Sequence, residues 1–186
     1  GGSSSLNFLN KGGIQSGQKV LIYGASGSLG TAAVQLARYF GTEVTGVCST
    51  ANIELVKSLG ANKVIDYTRD DFSQSGESYD IIYDTVGKSP FADCVKSLTK
   101  NGVYLRAVHM SLSPMIRGAW TSLTSGKKVI GGVAEERKEN LVILRELVET
   151  GKFIPVIDRR YPMEQIVEAH RYVDTGRKRG NVVLSV

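Results

Sequence analysis

The sequence predicts an α/β fold built on a doubly wound parallel sheet. Three observations predict it. Between residues 19 and 150, apolar runs of strand length alternate with segments of helical period. The run Val20-Leu21-Ile22-Tyr23 enters a glycine-rich turn, and a helical pattern begins at once behind it. Small and polar residues then cluster where strands end: Gly24 to Gly30, Cys48-Ser49-Thr50, Asp84-Thr85-Val86-Gly87 and Ala107-Val108-His109. Alternating strands and helices bury a parallel sheet on both faces, and ligands of such sheets lie beyond the strands' carboxyl ends.

The elements follow in order. Residues 6–11 read as the end of a helix stopped by Gly12-Gly13. Ser16-Gly17-Gln18 is a turn into the first strand. Leu29, Ala32, Ala33, Leu36, Ala37 and Phe40 recur at i, i+3, i+4, i+7, i+8 and i+11, one helix face, and Gly41 caps its end. A second strand spans 43–48, a short helix 52–59 closed by Gly60, and a third strand 63–67. Residues 69–78 are polar and read as irregular. The fourth strand is 79–84. Pro90 opens a helix whose apolar face is Phe91, Cys94, Val95 and Leu98. The fifth strand is 102–106, a weaker helix spans 113–123 with Met115 and Trp120 as packing or subunit contacts, and the sixth strand is 128–131. The helix 136–150 carries Leu141, Leu144, Leu147 and Val148 on its apolar side.

The rhythm breaks after Gly151, so the chain divides into a sheet domain, 1–151, and a segment, 152–186. That segment holds a strand at 156–162, a helix with Ile166, Ala169 and Val173 inward, a basic turn Gly176 to Gly180 and a final strand 182–186. A strand pair cannot form a core alone, so the segment docks on the sheet domain or completes another domain.

The turn at 25–30 reads Ala25-x-Gly27-x-x-Gly30, the dinucleotide fingerprint with alanine first. Ala25 sits at the sharp turn, Gly27 lets backbone approach a pyrophosphate, and Gly30 lets helix and strand pack closely. The helix start offers unpaired N–H groups and partial positive charge to phosphates. This context makes the sheet a Rossmann dinucleotide-binding sheet of six strands.

Composition narrows the class. The chain has 186 residues, 41% hydrophobic and 22% charged, with a formal charge of +5. That charge suits an anionic ligand but is too diffuse for nucleic acid. No apolar run reaches the length of a membrane span and no signal pattern opens the chain, so a cytoplasmic location is expected. Cys48 and Cys94 stand apart in apolar segments and read as small buried hydrophobes. The start, Gly1-Gly2-Ser3-Ser4-Ser5, lacks a methionine, as an artificial linker or a cut inside a longer protein would.

The cofactor is read at the end of the second strand. An NAD site places a carboxylate there to hold the ribose 2′-OH. Here the strand ends Val47-Cys48-Ser49-Thr50-Ala51-Asn52, without an acid. Ser49, Thr50 and Asn52 offer neutral hydrogen bonds to a 2′-phosphate, so NADP(H) is preferred over NAD. No arginine or lysine stands at that turn. Tyr67 either reaches the phosphate or packs at the strand edge.

Residues 17–37 (Gly17-Gln18-Lys19 through Gln35-Leu36-Ala37) resemble the cofactor domain of the medium-chain dehydrogenase/reductase superfamily, the zinc-type alcohol dehydrogenase superfamily. The closest likeness is to its zinc-free, quinone-oxidoreductase-like branch. Further matching stretches are Ser49-Thr50 with Leu55 to Ala61, Val64-Ile65-Asp66-Tyr67, Tyr79 to Gly87, Glu168 to Tyr172 and Gly180-Asn181-Val182-Val183. The resemblance implies an N-terminal GroES-like substrate domain outside this chain, completed by 152–186. It also implies an NADPH-dependent oxidoreductase acting on a quinone, an enone or another α,β-unsaturated carbonyl. The cofactor set it implies is Gly24, Ala25, Ser26, Gly27, Ser28 and Leu29 at the fingerprint, with Gly27 to Leu29 on the pyrophosphate. Ser49, Asn52 and Tyr67 then surround the 2′-phosphate, and Thr50 joins the cofactor set from the residues of the turn. Val86 and the backbone of Ala107, Val108 and His109 flank the nicotinamide side, Asn181 approaches its phosphates, and Asp84, in the polar cluster after the fourth strand, joins the cofactor set. Relatives often carry a basic residue where Ala51 stands. A homodimer through the sixth-strand edge is also implied.

No catalytic side chain is assigned. Zinc needs clustered ligands, and two isolated cysteines and two isolated histidines supply none, so no metal is expected. None of the eight tyrosines is followed four residues later by lysine, which sets aside short-chain dehydrogenases. Gly87-Lys88-Ser89 lacks the first glycine of a P-loop. His109 reads as a loop histidine or a neighbour of the nicotinamide. His170 reads as a core histidine, and Arg177-Lys178-Arg179 as a solvated basic turn or a phosphate contact. Two other functions stay open: a non-catalytic NADP(H) sensor, and a zinc-dependent alcohol dehydrogenase with ligands in a segment outside this chain.

Overall fold

The structure, a computed structural model, describes residues 1–107, 126–135 and 137–186. Its centre is a six-stranded sheet in the order β3-β2-β1-β4-β5-β6, every neighbouring pair parallel. The strands are β1 (Lys19–Tyr23), β2 (Glu43–Cys48), β3 (Lys63–Asp66), β4 (Tyr79–Asp84), β5 (Leu98–Arg106) and β6 (Lys128–Gly131). The chain leaves β3 at one edge and re-enters beside β1, so the order reverses between β1 and β4. Ligands of doubly wound sheets bind outside that reversal.

Both faces of β1 are apolar, as a strand covered on both sides requires. Val20 and Ile22 enter one core with Leu36, Ala33, Phe8 and Leu147. Leu21 and Tyr23 face the other, with Ile82, Cys94 and Tyr104. The first core is roofed by α1 (Gly2–Lys11), α2 (Ser28–Tyr39), α3 (Ile53–Ser58) and α5 (Lys138–Glu149). The second lies under α4 (Phe91–Lys96) and a single 3-10 turn at Phe72–Gln74.

Several expectations are corrected. Leu98 belongs to β5, not to the helix before it; the helix stops at Lys96 and the strand begins earlier than the apolar run suggested. Residues 69–78 are not featureless, because Phe72 drops into the second core edge-on to Tyr23. Tyr67 lies just past β3. In α5, Leu147 and Leu144 pack inward while Leu141 and Val148 are exposed. The proposed helix at 113–123, with Met115 and Trp120, lies outside the described residues, as do Val108, His109 and Glu136.

The segment after Gly151 forms a two-stranded parallel sheet, β7 (Ile157–Pro162) and β8 (Asn181–Ser185), joined by α6 (Ile166–Asp174). Ala169 is its buried residue, whereas Ile166 and His170 are exposed, so the expected core histidine is not one. The segment is fastened to the main sheet's helices. Gln35 and Ile154 exchange two hydrogen bonds, 3.0 and 2.8 Å, and Gly180 forms a parallel bridge with Gly27.

Candidate dinucleotide site

The loop after β1 carries the site. Gly24 makes the sharp turn with φ +82°, a conformation that L side chains resist, so the special backbone stands one residue before Ala25. A Cβ on Gly24 would also lie 2.2 Å from Val86 Cγ2. Ala25 is fully buried instead, its methyl facing Gly46 of β2, where a Cβ would meet it at 3.1 Å. Gly24 and Ala25 both donate N–H groups to the Val47 carbonyl, at 3.0 and 2.9 Å.

Gly27 and Gly30 differ in kind. A Cβ on Gly30 would come within 2.1 Å of the Gly24 carbonyl oxygen, so its absence lets α2 sit on the turn. A Cβ on Gly27 would meet only that oxygen, at 3.7 Å, and otherwise point into open space. Gly27 is the N-cap of α2 and has no side chain to cap it. The first intrahelical bond runs from Thr31 N–H to Gly27 O, 2.9 Å, so the N–H groups of Ser28, Leu29 and Gly30 precede the helical ladder. This is an anion cradle with its front open.

A polar cluster joins this loop to the end of β2. Asn52 Nδ2 donates to Ser26 Oγ (3.2 Å) and to Ser49 Oγ (3.1 Å). Its Oδ1 is buried and has no protein partner, a costly condition unless a ligand donor meets it. Thr50 turns away: its hydroxyl donates to Asp66 Oδ2 and lies 3.2 Å from Thr68 Oγ1. Asp66, at the end of β3, also accepts from Thr68 N–H (3.0 Å) and Thr68 Oγ1 (2.7 Å). The Thr50 hydrogen bond, with those of Thr68, holds its carboxyl below the usual carboxylate range. Arg69 Nε is 3.8 Å from the same carboxylate. A sequence reading confined to the end of β2 missed both charges of this neighbouring strand. Tyr67 is 56% exposed beside a groove of about 330 Å³ lined by Tyr23, Val47, Thr68, Phe72 and Pro90.

The loop after β4 is the second wall. Asp84 is fully buried. Its Oδ1 accepts from Val86 and Gly87 N–H, at 3.0 and 2.7 Å. Its Oδ2 accepts from Ser89 N–H, Ser89 Oγ and Tyr104 OH, at 3.2, 2.6 and 3.1 Å. All the donors are its own loop or β5, so Asp84 shapes the loop from beneath. Val86 is pushed outward, 37% exposed, over Gly24. Ala107 follows β5, its N–H bonded to Asp84 O at 3.0 Å.

The third wall comes from the C-terminal segment. Gly180 N–H donates to Ser26 O at 2.8 Å, and Ser28 Oγ donates to Gly180 O at 2.7 Å. Asn181 is half-buried, with its N–H and Nδ2 both on Val156 O, at 2.8 and 3.0 Å. Lys178 is not a solvated turn residue. It is half-buried with Nζ on Ser28 Oγ and Gly180 O, while Arg177 and Arg179 are exposed.

Cys48 and Cys94 are buried, and burial pushes their thiols up to about 11 and about 12. Among the described residues no three His, Cys, Asp or Glu side chains converge as metal ligands would.

Comparison with known proteins places the chain in a family. The sequence pattern of the zinc-binding dehydrogenase family matches residues 59–184. A 2-methylene-furan-3-one reductase of Solanum lycopersicum is 34% identical over 180 residues, which is 95% of this chain and 42% of that protein. Quinone-oxidoreductase QR1 of Triphysaria versicolor, a chloroplastic protein, is 34% identical over 174 residues, 90% of this chain and 52% of that one. The chain thus spans about half the length of the curated relatives it matches. The solved quinone oxidoreductase of Coxiella burnetii superposes with a TM-score of 0.91 at 28% identity, covering 100% of this chain and 58% of its own. The chain belongs to the zinc-binding dehydrogenase family, in the quinone-oxidoreductase-like branch of the medium-chain dehydrogenase/reductase superfamily.

Proposed function

We propose that this chain is the cofactor-binding part of an NADPH-dependent oxidoreductase that reduces a quinone, an enone or a related α,β-unsaturated carbonyl. The observation that carries it is the open cradle at the start of α2, in a chain whose relatives include a quinone oxidoreductase and a furan-3-one reductase. A bound nicotinamide supplies hydride from its C4. The chain's residues bind, orient and wall. Backbone N–H groups of Ser28 and Leu29 take the pyrophosphate across the bare Cα of Gly27. Ser26, Ser49 and Asn52, linked as one cluster, face the adenosine ribose and its 2′-phosphate, and Asn52 Oδ1 accepts from the remaining 3′-hydroxyl. The groove beside Tyr67 receives the adenine. Val86 and Ala107 stand on the nicotinamide side, and Asp84 serves by holding Val86 there.

NADP is preferred over NAD because the turn after β2 is acid-free and because Arg69 lines the same groove as Tyr67. Asp66 nearby spends its oxygens on Thr50 and Thr68. No residue described here is given an acid–base role, and no step is routed through a metal. We read residues 152–186 as completing a substrate domain outside this chain, since Ile157, Met163, Ile166 and Val167 are exposed along it. A homodimer through the β6 edge belongs to the same reading. No helix among the described residues is long and apolar enough to cross a membrane. A cytoplasmic location is our reading of the composition.

The test uses the full-length protein. Fluorescence titration gives a lower Kd for NADPH than for NADH, and equal values overturn the NADP preference. NADPH oxidation is then followed with 9,10-phenanthrenequinone and with a simple enone. Binding without turnover of either makes the protein a sensor and overturns the proposed reaction.

A further inference from the structure

The far end of α2 lies 12 residues, about 18 Å of helix, from the fingerprint. It borders a second groove of about 330 Å³. Arg38 and Lys152 line this groove together with Tyr39, Leu59 and Ile154. No lining residue is acidic, and among the described residues neither cation has a carboxylate within ion-pair distance. Lys152 Nζ stands 5.7 Å from the centre of the Tyr39 ring. Arg38 Nη1 reaches only the Gly60 carbonyl, at 3.5 Å. Tyr39 is 46% exposed and Ile154 64%, so open apolar surface borders both charges.

The helices α2, α3 and α5 all end at this groove, and helix C-termini carry partial negative charge that attracts cations. Capping does not consume the two side chains, however. In each helix, three of the last four carbonyls already accept backbone N–H groups from the turn that follows. The walls are also fixed in advance. Gln35 and Ile154 exchange their two hydrogen bonds between α2 and the segment after α5. The stem of Arg38 lies across Gly60, where a Cβ would come 2.2 Å from Arg38 Cδ. Preformed walls lower the cost of ordering a ligand.

We propose that this groove is a second ligand site, separate from the dinucleotide cradle, for a small aromatic carboxylate. Size sets the body of the ligand. An enclosed cavity of about 150 Å³ takes benzene, so a groove of about 330 Å³ takes one or two rings and an acid group. The carboxylate sits between the Arg38 guanidinium and the Lys152 ammonium, the first meeting it as a planar fork. The rings lie on Leu59, Ile154 and the edge of Tyr39. A bare inorganic anion meets the charges but leaves the apolar walls wet. A neutral ring covers the walls and leaves the charges without a partner. An anion with an apolar body answers both. The site stands whether or not the proposed reaction does.

The experiment is calorimetric titration of the full-length protein with 2-naphthoate, with and without saturating NADPH. The expected Kd is on the order of 1 mM or lower, the scale for a probe of this size, and NADPH leaves it unchanged. Arg38→Gln and Lys152→Gln each weaken 2-naphthoate roughly tenfold, one charge-assisted hydrogen bond apiece. Lys152→Arg keeps most of the affinity. Inorganic phosphate and 2-naphthalenemethanol, which has the rings without the charge, each bind wild type at least about tenfold more weakly. Both side chains are exposed, so the variants keep the wild-type Tm and NADPH affinity. No binding of 2-naphthoate to wild type overturns the site. Binding that neither Gln variant weakens lies elsewhere and overturns it too. Displacement by NADPH puts the probe in the dinucleotide cradle, and a matching fall of NADPH affinity in the variants marks a distorted α2; either result overturns the proposal.

Discussion

Thr85 Oγ1 donates to the carbonyls of Tyr23 and Gly24, at 2.8 and 3.1 Å, and so ties the loop after β4 to the loop after β1. The two loops flank the point where strand order reverses. Thr85→Val keeps the shape and removes the hydroxyl. It should cost about 1–2 kcal/mol of stability, measured by urea unfolding, because one hydroxyl holds both carbonyls. NADPH affinity should fall with it, since the turn before Gly27 loses its brace. A variant with unchanged Kd would separate the brace from the cradle.

Gly27 and Gly30 should separate binding from folding. Gly30→Ala puts a methyl 2.1 Å from the Gly24 oxygen, a backbone atom that cannot move alone. We expect a loss of about 3 kcal/mol or more, seen as poor recovery of folded protein. Gly27→Ala has φ −81° and open space, so stability should change by no more than about 1 kcal/mol. NADPH affinity should nevertheless fall by about tenfold or more, because the methyl occupies the approach of the pyrophosphate.

Asp66 predicts a pH dependence. Hydrogen bonds from Thr50 and Thr68 lower its folded value below the unfolded one, which is about 4. Its contribution to stability is therefore present above that unfolded value and is lost as the pH falls through the lower folded value. Thr50→Val removes the leading cause and should move the acid limb of the melting-temperature profile to higher pH. An unmoved limb would show that other carboxylates govern acid unfolding.

The thiols of Cys48 and Cys94, raised by burial to about 11 and about 12, predict silence toward electrophiles. Iodoacetamide at about pH 8 should label neither in the native chain and both after denaturation, as mass spectrometry will report. Native labelling of Cys94 would mean that the buried Asp84–Ser89–Tyr104 cluster opens.

The sheet was legible because each strand carries its own signal: β1 holds the apolar run Val20 to Tyr23 and β4 the run Ile81-Ile82-Tyr83 between two aspartates, each followed by a glycine or a small polar turn, and both were read within one residue of their ends. The fingerprint was legible for the same local reason. What escaped depends on partners distant in sequence. Leu98 lies next to a helix in sequence, but pairing with Tyr79 draws it into β5. Phe72 sits in a polar stretch, and it is the second core, with the ring of Tyr23 edge-on, that gives it a place to bury. Lys178 read only as one of three cations in a solvated turn or a phosphate contact, because nothing local distinguishes it; Ser28, its partner, stands 150 residues away. His170 looked inward on the spacing from Ile166, yet both are exposed where the main sheet gives α6 nothing to cover them.

The bridge between Gly27 and Gly180 has a consequence for synthesis. Chains emerge from the ribosome from the amino end, and units fold as they appear. The strands β1 to β4 and helix α2 exist long before the partner of Gly27 is translated, since Ser28 and Gly180 are 152 residues apart. Until then the turn at Gly27 has its N–H groups but lacks the backbone that Gly180 lays beside it. On the function proposed above, the last wall of the site is also the last to be made, so a chain stopped before Gly180 is expected to bind NADPH more weakly than one translated through it.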